Sequence, residues 1–327
     1  MFPHAFPTEP LRPTPLPTPT QPGARGRATR PFRDRASDGP EAPPRQKHCE
    51  VAVQFRYNLT FMLEALPPPD DAVLARPSAT VVVFSLGIEE ERDLKPADGI
   101  GWQKALALHG YATGTLQKVF QRNINVQTLL LQGVAAAPPA ISSRDGWQAG
   151  YRGKPSQAAL YRDGVTLERL EYPGFTEFKK EIRSVCTALR DVLHPSLRTR
   201  LSLRYSNALS SEQATTAEFW SDKVERSFLS VAADARLRPS MARSFSVTDF
   251  NDDEVTLQVR SGVQPDAAIP GNVAFVFDID LSHLGLTPFD IDSSMDDVAL
   301  LNRYARQMFQ AIITPDYYAE MKAGAHA

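Results

Sequence analysis

The sequence predicts an α+β fold in which a β-α-β-β-β-α unit occurs twice and builds a pseudo-twofold antiparallel sheet with long helices on one face. Three observations carry this. First, a strand-like segment recurs: Glu50-Val51-Ala52-Val53-Gln54-Phe55-Arg56-Tyr57-Asn58 and Arg200-Leu201-Ser202-Leu203-Arg204-Tyr205-Ser206-Asn207 both alternate apolar residues, and both end in an apolar residue, Arg, Tyr and a nearby Asn. Alternate side chains of a strand share a face, so Val53, Phe55 and Tyr57 fall together, as do Leu201, Leu203 and Tyr205, with Arg56 and Arg204 opposite. Second, two segments carry an apolar stripe at helical spacing: Phe175, Phe178, Ile182, Val185, Leu189 and Val192, then Val298, Leu301, Ala305, Met308 and Ile312. Third, three strand patterns lie between 200–207 and the second of these helices.

In chain order, residues 1–47 hold twelve of the 27 prolines and eight Lys or Arg against four Asp or Glu. Such a segment cannot bury a core and reads as a disordered tail, a linker more readily than a ligand for a proline-recognising groove. The first α+β half spans 48–195, with an insertion at about 67–140 after Pro67-Pro68-Pro69. Strand candidates are 50–58, 80–86, 125–134, 146–152, 157–162 and 164–172, with a weaker helix over 102–121. Asp163-Gly164 predicts a tight hairpin, since Gly accepts positive φ. A helix over 175–192 ends at His194-Pro195. The second half, 196–321, reads as strand 200–207, a helix over 215–231, strands 244–250, 255–259 and 273–281, and a closing helix from Ser293-Ser294 that stops before Pro315. Asp296 and Asp297 suit the first turn of that helix. Residues 322–327 read as a flexible end.

Composition narrows the class. The chain has a net charge of −2, so without its basic tail it is mildly acidic, which argues against a broad phosphate-binding surface. No apolar run is long enough to cross a membrane, and the start lacks the apolar core of a secretory signal; the reading is a cytoplasmic protein with no membrane contact. Cys49 and Cys186 make neither a disulfide framework nor a metal motif, and Cys186 falls on the apolar side of its helix.

Three motifs carry a family resemblance between about 157 and 320. Residues 200–207 match the pattern Arg-x-Gly-Leu-Arg-Tyr-x-Asn, with Ser202 in place of Gly. Phe275-Val276-Phe277-Asp278-Ile279-Asp280 matches Phe-x-Leu-Asp-Ile-Asp. The closing segment contributes Phe309-Gln310-Ala311-Ile312-Ile313-Thr314 and a terminal Tyr-x-x-Met. On these residues the chain resembles a sporadically distributed prokaryotic family of uncharacterised proteins. The strand 50–58 is similar to the family's opening strand, whereas 67–140 matches poorly. The resemblance implies a core of this size and no established activity, and such patchy distribution is common in mobile or defence-associated loci.

Candidate chemistry is sparse. Asp278 and Asp280 project from one face of a strand, where two carboxylates can hold Mg²⁺ or Mn²⁺. The plainer reading pairs them with Arg56, Arg200 and Arg204 across the polar face of the sheet, and no cofactor is predicted. Trp102, Trp147, Trp220, Tyr151, Tyr161 and Tyr172 can stack on bases or sugars, with Tyr161 and Arg162 flanking a hairpin; half-buried sheet packing is the plainer account of them. Phosphate loops, His-Glu-x-x-His and Gly-x-Ser-x-Gly are absent, and His48-Cys49 is an isolated pair. The leading expectation is therefore a non-catalytic binding or regulatory protein acting through a protein partner or self-association. Its binding residues would be Arg56, Tyr57, Arg200, Arg204, Tyr205, Asn207, Tyr161 and Arg162. The alternatives are a nucleic-acid-binding protein using the same sheet face, and a metal-dependent enzyme built on Asp278 and Asp280.

Overall fold

The computed structural model describes residues 59–70, 74, 78–89, 93–112, 117–124, 141–238, 241, 243–251 and 254–324. Its helices are α1 (Leu59–Ala65), α2 (Pro96–Ala107), α3 (Phe175–Leu193), α4 (Arg226–Leu229), α5 (Ile291–Ile312) and α6 (Pro315–Ala323). Its strands are β1 (Ala79–Ile88), β2 (Gln117–Ile124), β3 (Ile141–Gly150), β4 (Ser156–Tyr161), β5 (Gly164–Arg169), β6 (Leu197–Leu209), β7 (Ser244–Asn251), β8 (Val255–Pro265) and β9 (Val273–Pro288). These strands form one antiparallel sheet in the order β2-β3-β4-β5-β1-β6-β9-β8-β7. The α+β class and the single antiparallel sheet agree with the sequence.

Outward from the central β1–β6 pair, the neighbours are β5, β4 and β3 on one side and β9, β8 and β7 on the other. The strand that mirrors β6 in this order is β1, which comes from within the stretch read as an insertion. The repeat between 50–58 and 200–207 finds no counterpart here, because 50–58 lies outside the described residues. So do Arg56, Tyr57, His48-Cys49, the tail 1–47 and the strand candidate 125–134.

The alternation read from the sequence decides which face is covered. Val82, Phe84 and Leu86 of β1, Leu201, Leu203 and Tyr205 of β6, and Phe275, Phe277, Ile279 and Leu281 of β9 are buried. Helix α3 packs on β5, α5 packs on β6 and β9, and the two helices touch each other, so both long helices share this face. Phe178, Ile182, Val185 and Leu189 form the buried stripe of α3, as its spacing predicts. Each helix is also tied to the sheet by an ion pair, buried for Arg169–Glu181 on α3 and partly buried for Arg198–Asp297 on α5. A register shift between Arg198 and Arg200 lets Arg198 reach α5 although Arg200 bonds Ser282 on the opposite face.

The predicted hairpin joins β4 to β5, with Tyr161 facing Gly164. Gly164 has φ +147°, and a Cβ there would lie 2.0 Å from the Leu86 carbonyl oxygen, so only glycine lets β5 pair with β1 at this point. At the far edge β7 leaves Phe245 and Val247 half exposed. Among the described residues no helix is long and apolar enough to cross a membrane.

Two helix expectations fail. The helix placed at 102–121 instead runs over Pro96–Ala107, because the Asp98 carboxylate accepts the Lys95 N–H at 2.7 Å, Pro96 sits at the first position, and Gly110 turns the chain with φ +91°. The chain then crosses to Tyr151 and continues as β2. The helix placed at 215–231 is three short pieces, Ala217–Trp220, Arg226–Leu229 and Ser230–Ala233. Here tertiary bonds override local periodicity: the Glu225 N–H donates to the Ile312 carbonyl, Val224 bridges Ile313, and Ser230 takes φ +51°.

Candidate functional site

Residues from the segments 200–207, 275–280 and 309–321 meet at one place on the helix-covered face. Tyr205 and Asn207 point there because they share a face of β6, and Ile279 of β9 lies beside them. Asn302, Arg306 and Gln310 recur every four residues along α5, with Ala305 and Phe309 on the same stripe. Together with Tyr172 to Thr176 at the start of α3, the segment containing Asp70, Leu74 and Ser78, and Tyr318 of α6, they line a mostly apolar cavity of about 560 Å³.

Its polar groups are organised. The Tyr205 hydroxyl donates to Asn302 Oδ1 at 2.8 Å, and Ser78 Oγ donates to Asn207 Oδ1 at 3.0 Å. The Asn207 side-chain amide nitrogen donates to the Tyr205 backbone carbonyl at 3.3 Å, which fixes the Asn207 side chain against its own strand. Tyr172 packs edge-on against Tyr205 with ring centroids 5.6 Å apart. Burial lifts the Tyr172 phenol above its ordinary range, against the opposing pull of the Tyr205 hydroxyl and the Arg306 charge. Burial, reinforced by Tyr172, lifts Tyr205 further. Both phenols are therefore neutral hydrogen-bonding groups near pH 7, suited to orienting a ligand.

The chain before β1 is strapped over α5. Gln307 Nε2 donates to the Leu66 and Pro67 carbonyls at 3.3 Å, Arg306 donates to the Asp70 carbonyl, and Lys322 Nζ meets Asp70 Oδ2 at 2.7 Å. None of the described lining residues is His or Cys.

The other predicted residues lie elsewhere. Arg204 and Asp278 are on the opposite face of the sheet, paired at 2.5 Å, and Arg260 stands 3.7 Å from the same carboxylate oxygen. Alternation along β6 therefore separates Arg204 from Tyr205 and Asn207, which the sequence treats as one motif. Among the described residues no cluster of three or more His, Cys, Asp or Glu joins Asp278 and Asp280. Tyr161 is buried over Gly146, Arg162 is exposed at the hairpin, and Trp102 and Trp220 are fully buried, so this part of the aromatic set is packing. Cys186 is buried, which pushes its thiol up to about 12 and leaves it unreactive.

The two aspartates are expected to behave differently. Asp278 accepts a charge-assisted bond from Arg204, so Asp278→Asn is expected to cost about 1–2 kcal/mol, between a surface pair and a buried one. Burial raises Asp280 above the ordinary carboxylate range although Arg200, Arg204 and Arg260 oppose it. The folded chain thus holds that proton more tightly than the unfolded chain does. Its contribution to stability is greatest at acid pH and declines as pH rises from the ordinary carboxylate range through the raised folded value. Asp280→Asn is accordingly expected to be neutral or mildly stabilising at pH 7, as urea unfolding of the two variants would show.

Sequence reading missed Arg198, Arg260, Asn302 and Arg306, and named Gln310 only within the closing motif. Asn302, Arg306 and Gln310 did carry a signal: polar residues at strict four-residue spacing beside an apolar stripe. Fold and site together define an α+β protein with a single antiparallel sheet and an apolar cavity on its helix-covered face. Comparison with protein-family models, with curated proteins and with solved structures found no match.

Proposed function

We propose that this chain is a non-catalytic binding protein whose recognition site is the cavity between β6, the start of α3 and α5. The observation that carries the reading is convergence: 205–207, 275–280 and 309–321 are far apart in sequence, yet each places side chains on the same cavity. Its volume of about 560 Å³, its apolar walls and its few oriented polar groups suit a small ligand. The resemblance to the prokaryotic family enters here as part of the same proposal, with the cavity as the feature the motif residues serve. It moves recognition from the polar face of the sheet, where Arg204 is already paired, to the opposite face.

The test uses a neutral apolar fluorophore, N-phenyl-1-naphthylamine, titrated into the full chain. Saturable binding at one site per chain is expected, and Ala305→Trp, which fills the cavity from α5, is expected to weaken it at least about tenfold. Overpacking of this kind costs about 1–3 kcal/mol, so the variant is expected to keep a cooperative unfolding transition. Binding that ignores Ala305→Trp, or no binding, would remove the cavity from consideration.

A further inference from the structure

We infer that the cavity takes a neutral, largely apolar molecule whose carbonyl oxygen, that of a ketone, ester or lactone, sits at the Asn302 side-chain amide. This rests on the binding reading above. Asn302 stands on α5 in the cavity wall and is only 5% exposed. Its Oδ1 is taken by the Tyr205 hydroxyl at 2.8 Å. The side chain therefore presents its amide nitrogen to the cavity, and that nitrogen carries only donors, which an acceptor satisfies. Ala305 and Phe309 follow Asn302 along α5, and Phe175 and Ile279 extend the apolar wall.

Most other polar groups of the wall are spent within the protein. Ser78 Oγ donates to Asn207 Oδ1 at 3.0 Å, and Asn207 Nδ2 donates to the Tyr205 and Phe277 carbonyls. Gln310 Nε2 donates to the Tyr318 hydroxyl at 2.9 Å, and Gln310 Oε1 accepts the Asp70 N–H at 3.4 Å. The two charged side chains among the described lining residues are engaged as well, Asp70 with Lys322 and Arg306 with the Asp70 carbonyl. An ionic head group would be desolvated here with no partner of its own, which favours a neutral molecule. The polarity of the site narrows the class further. A hydroxyl or amine could accept from the Asn302 amide, but its own hydrogen would find Asn302 Oδ1 and Asn207 Oδ1 already engaged. An unmet donor costs more than a met acceptor returns, so the site selects an oxygen that only accepts.

The test compares two molecules of the same shape, 2-acetylnaphthalene and 1-(2-naphthyl)ethanol, which differ only in having a carbonyl or a hydroxyl. They compete against N-phenyl-1-naphthylamine on the full chain at pH 7. The ketone is expected to displace the probe at a concentration about fivefold below that of the alcohol, the effect of one unmet donor. Tyr205→Phe combined with Asn302→Leu removes the amide and its partner together and strands no polar group. That double variant is expected to bring the ratio to about one. The comparison on the native chain needs no variant, so it decides the ligand class even if the double variant fails to fold. Equal displacement, a preference for the alcohol, or displacement by neither would overturn the carbonyl class while leaving the cavity reading intact. A preference for the ketone that survives in the double variant would overturn the assignment to Asn302. A chain that binds no probe would end both readings together.

Discussion

Replacing Glu181 with alanine is expected to destabilise the protein by about 3–5 kcal/mol, because it strands a buried guanidinium. Glu181 of α3 pairs with Arg169 at the end of β5, and both side chains are only 7% exposed. The second carboxylate oxygen accepts from Ser156 Oγ at 3.0 Å, and Lys154 stands at 3.8 Å. Arg169 also donates through Nε to the Glu171 carbonyl at 2.8 Å. The cluster is therefore satisfied while intact and costly when one member is removed. A surface pair on the same helix, Glu177–Lys180, offers the contrast: both partners are mostly exposed, and its loss is expected to leave stability nearly unchanged. The double replacement Arg169→Met with Glu181→Leu is expected to recover most of the loss, since an apolar pair leaves no buried charge. Urea unfolding of the two single variants and the double variant checks this as a cycle; a Glu181→Ala cost below about 1 kcal/mol would mean that the pair is hydrated in solution.

The second large effect is expected at Trp220. It is fully buried, its indole N–H donates to the Val273 carbonyl at 2.9 Å, and its ring packs against Phe219, Phe275 and Tyr317. Tyr317 belongs to α6, so this one side chain joins the start of β9 to the last helix. Trp220→Ala is expected to cost about 3–5 kcal/mol from lost burial and the cavity left behind, with the Val273 carbonyl losing its partner in addition. Trp220→Phe keeps most of the apolar area and loses the donor, for about 1–2 kcal/mol. At roughly 2–4 °C per kcal/mol for a chain of a few hundred residues, thermal melts are expected to fall by roughly 10 °C and about 5 °C respectively. Equal melting of Trp220→Ala and the native chain would show that the 217–233 region does not contribute to the cooperative core.

Legibility of the fold followed the strength of the periodic signal. Helix α3 was readable because its apolar stripe, its Pro173-Gly174 start and its His194-Pro195 stop agree. The β7–β8 and β4–β5 hairpins were readable because alternation and turn chemistry agree. The 215–231 region was misread because Phe219, Trp220, Val224 and Phe228 have helical spacing, while the Glu225 N–H and Val224 find their partners on the C-terminus of α5. Nothing local reports such a partner. The helix at 96–107 was misplaced for the opposite reason: its capping residues carry the signal, and its apolar positions carry little.

The site was half legible. Sequence alone determined the alternation of 200–207 and 273–281, the stripes of α3 and α5, and hence one sheet with a covered and an uncovered face, because side-chain period is a property of the local backbone. It also brought out Arg204, Tyr205, Asn207, Asp278 and Asp280 as residues of interest. Tertiary structure alone decided their roles. Alternation had already put Arg204 opposite Tyr205; the tertiary structure selected Asp278 as the partner of Arg204 and brought α5 within 2.8 Å of the Tyr205 hydroxyl. A cavity is made by elements distant in sequence, and its volume and polarity depend on how closely they pack. No short-range pattern in the chain contains that distance.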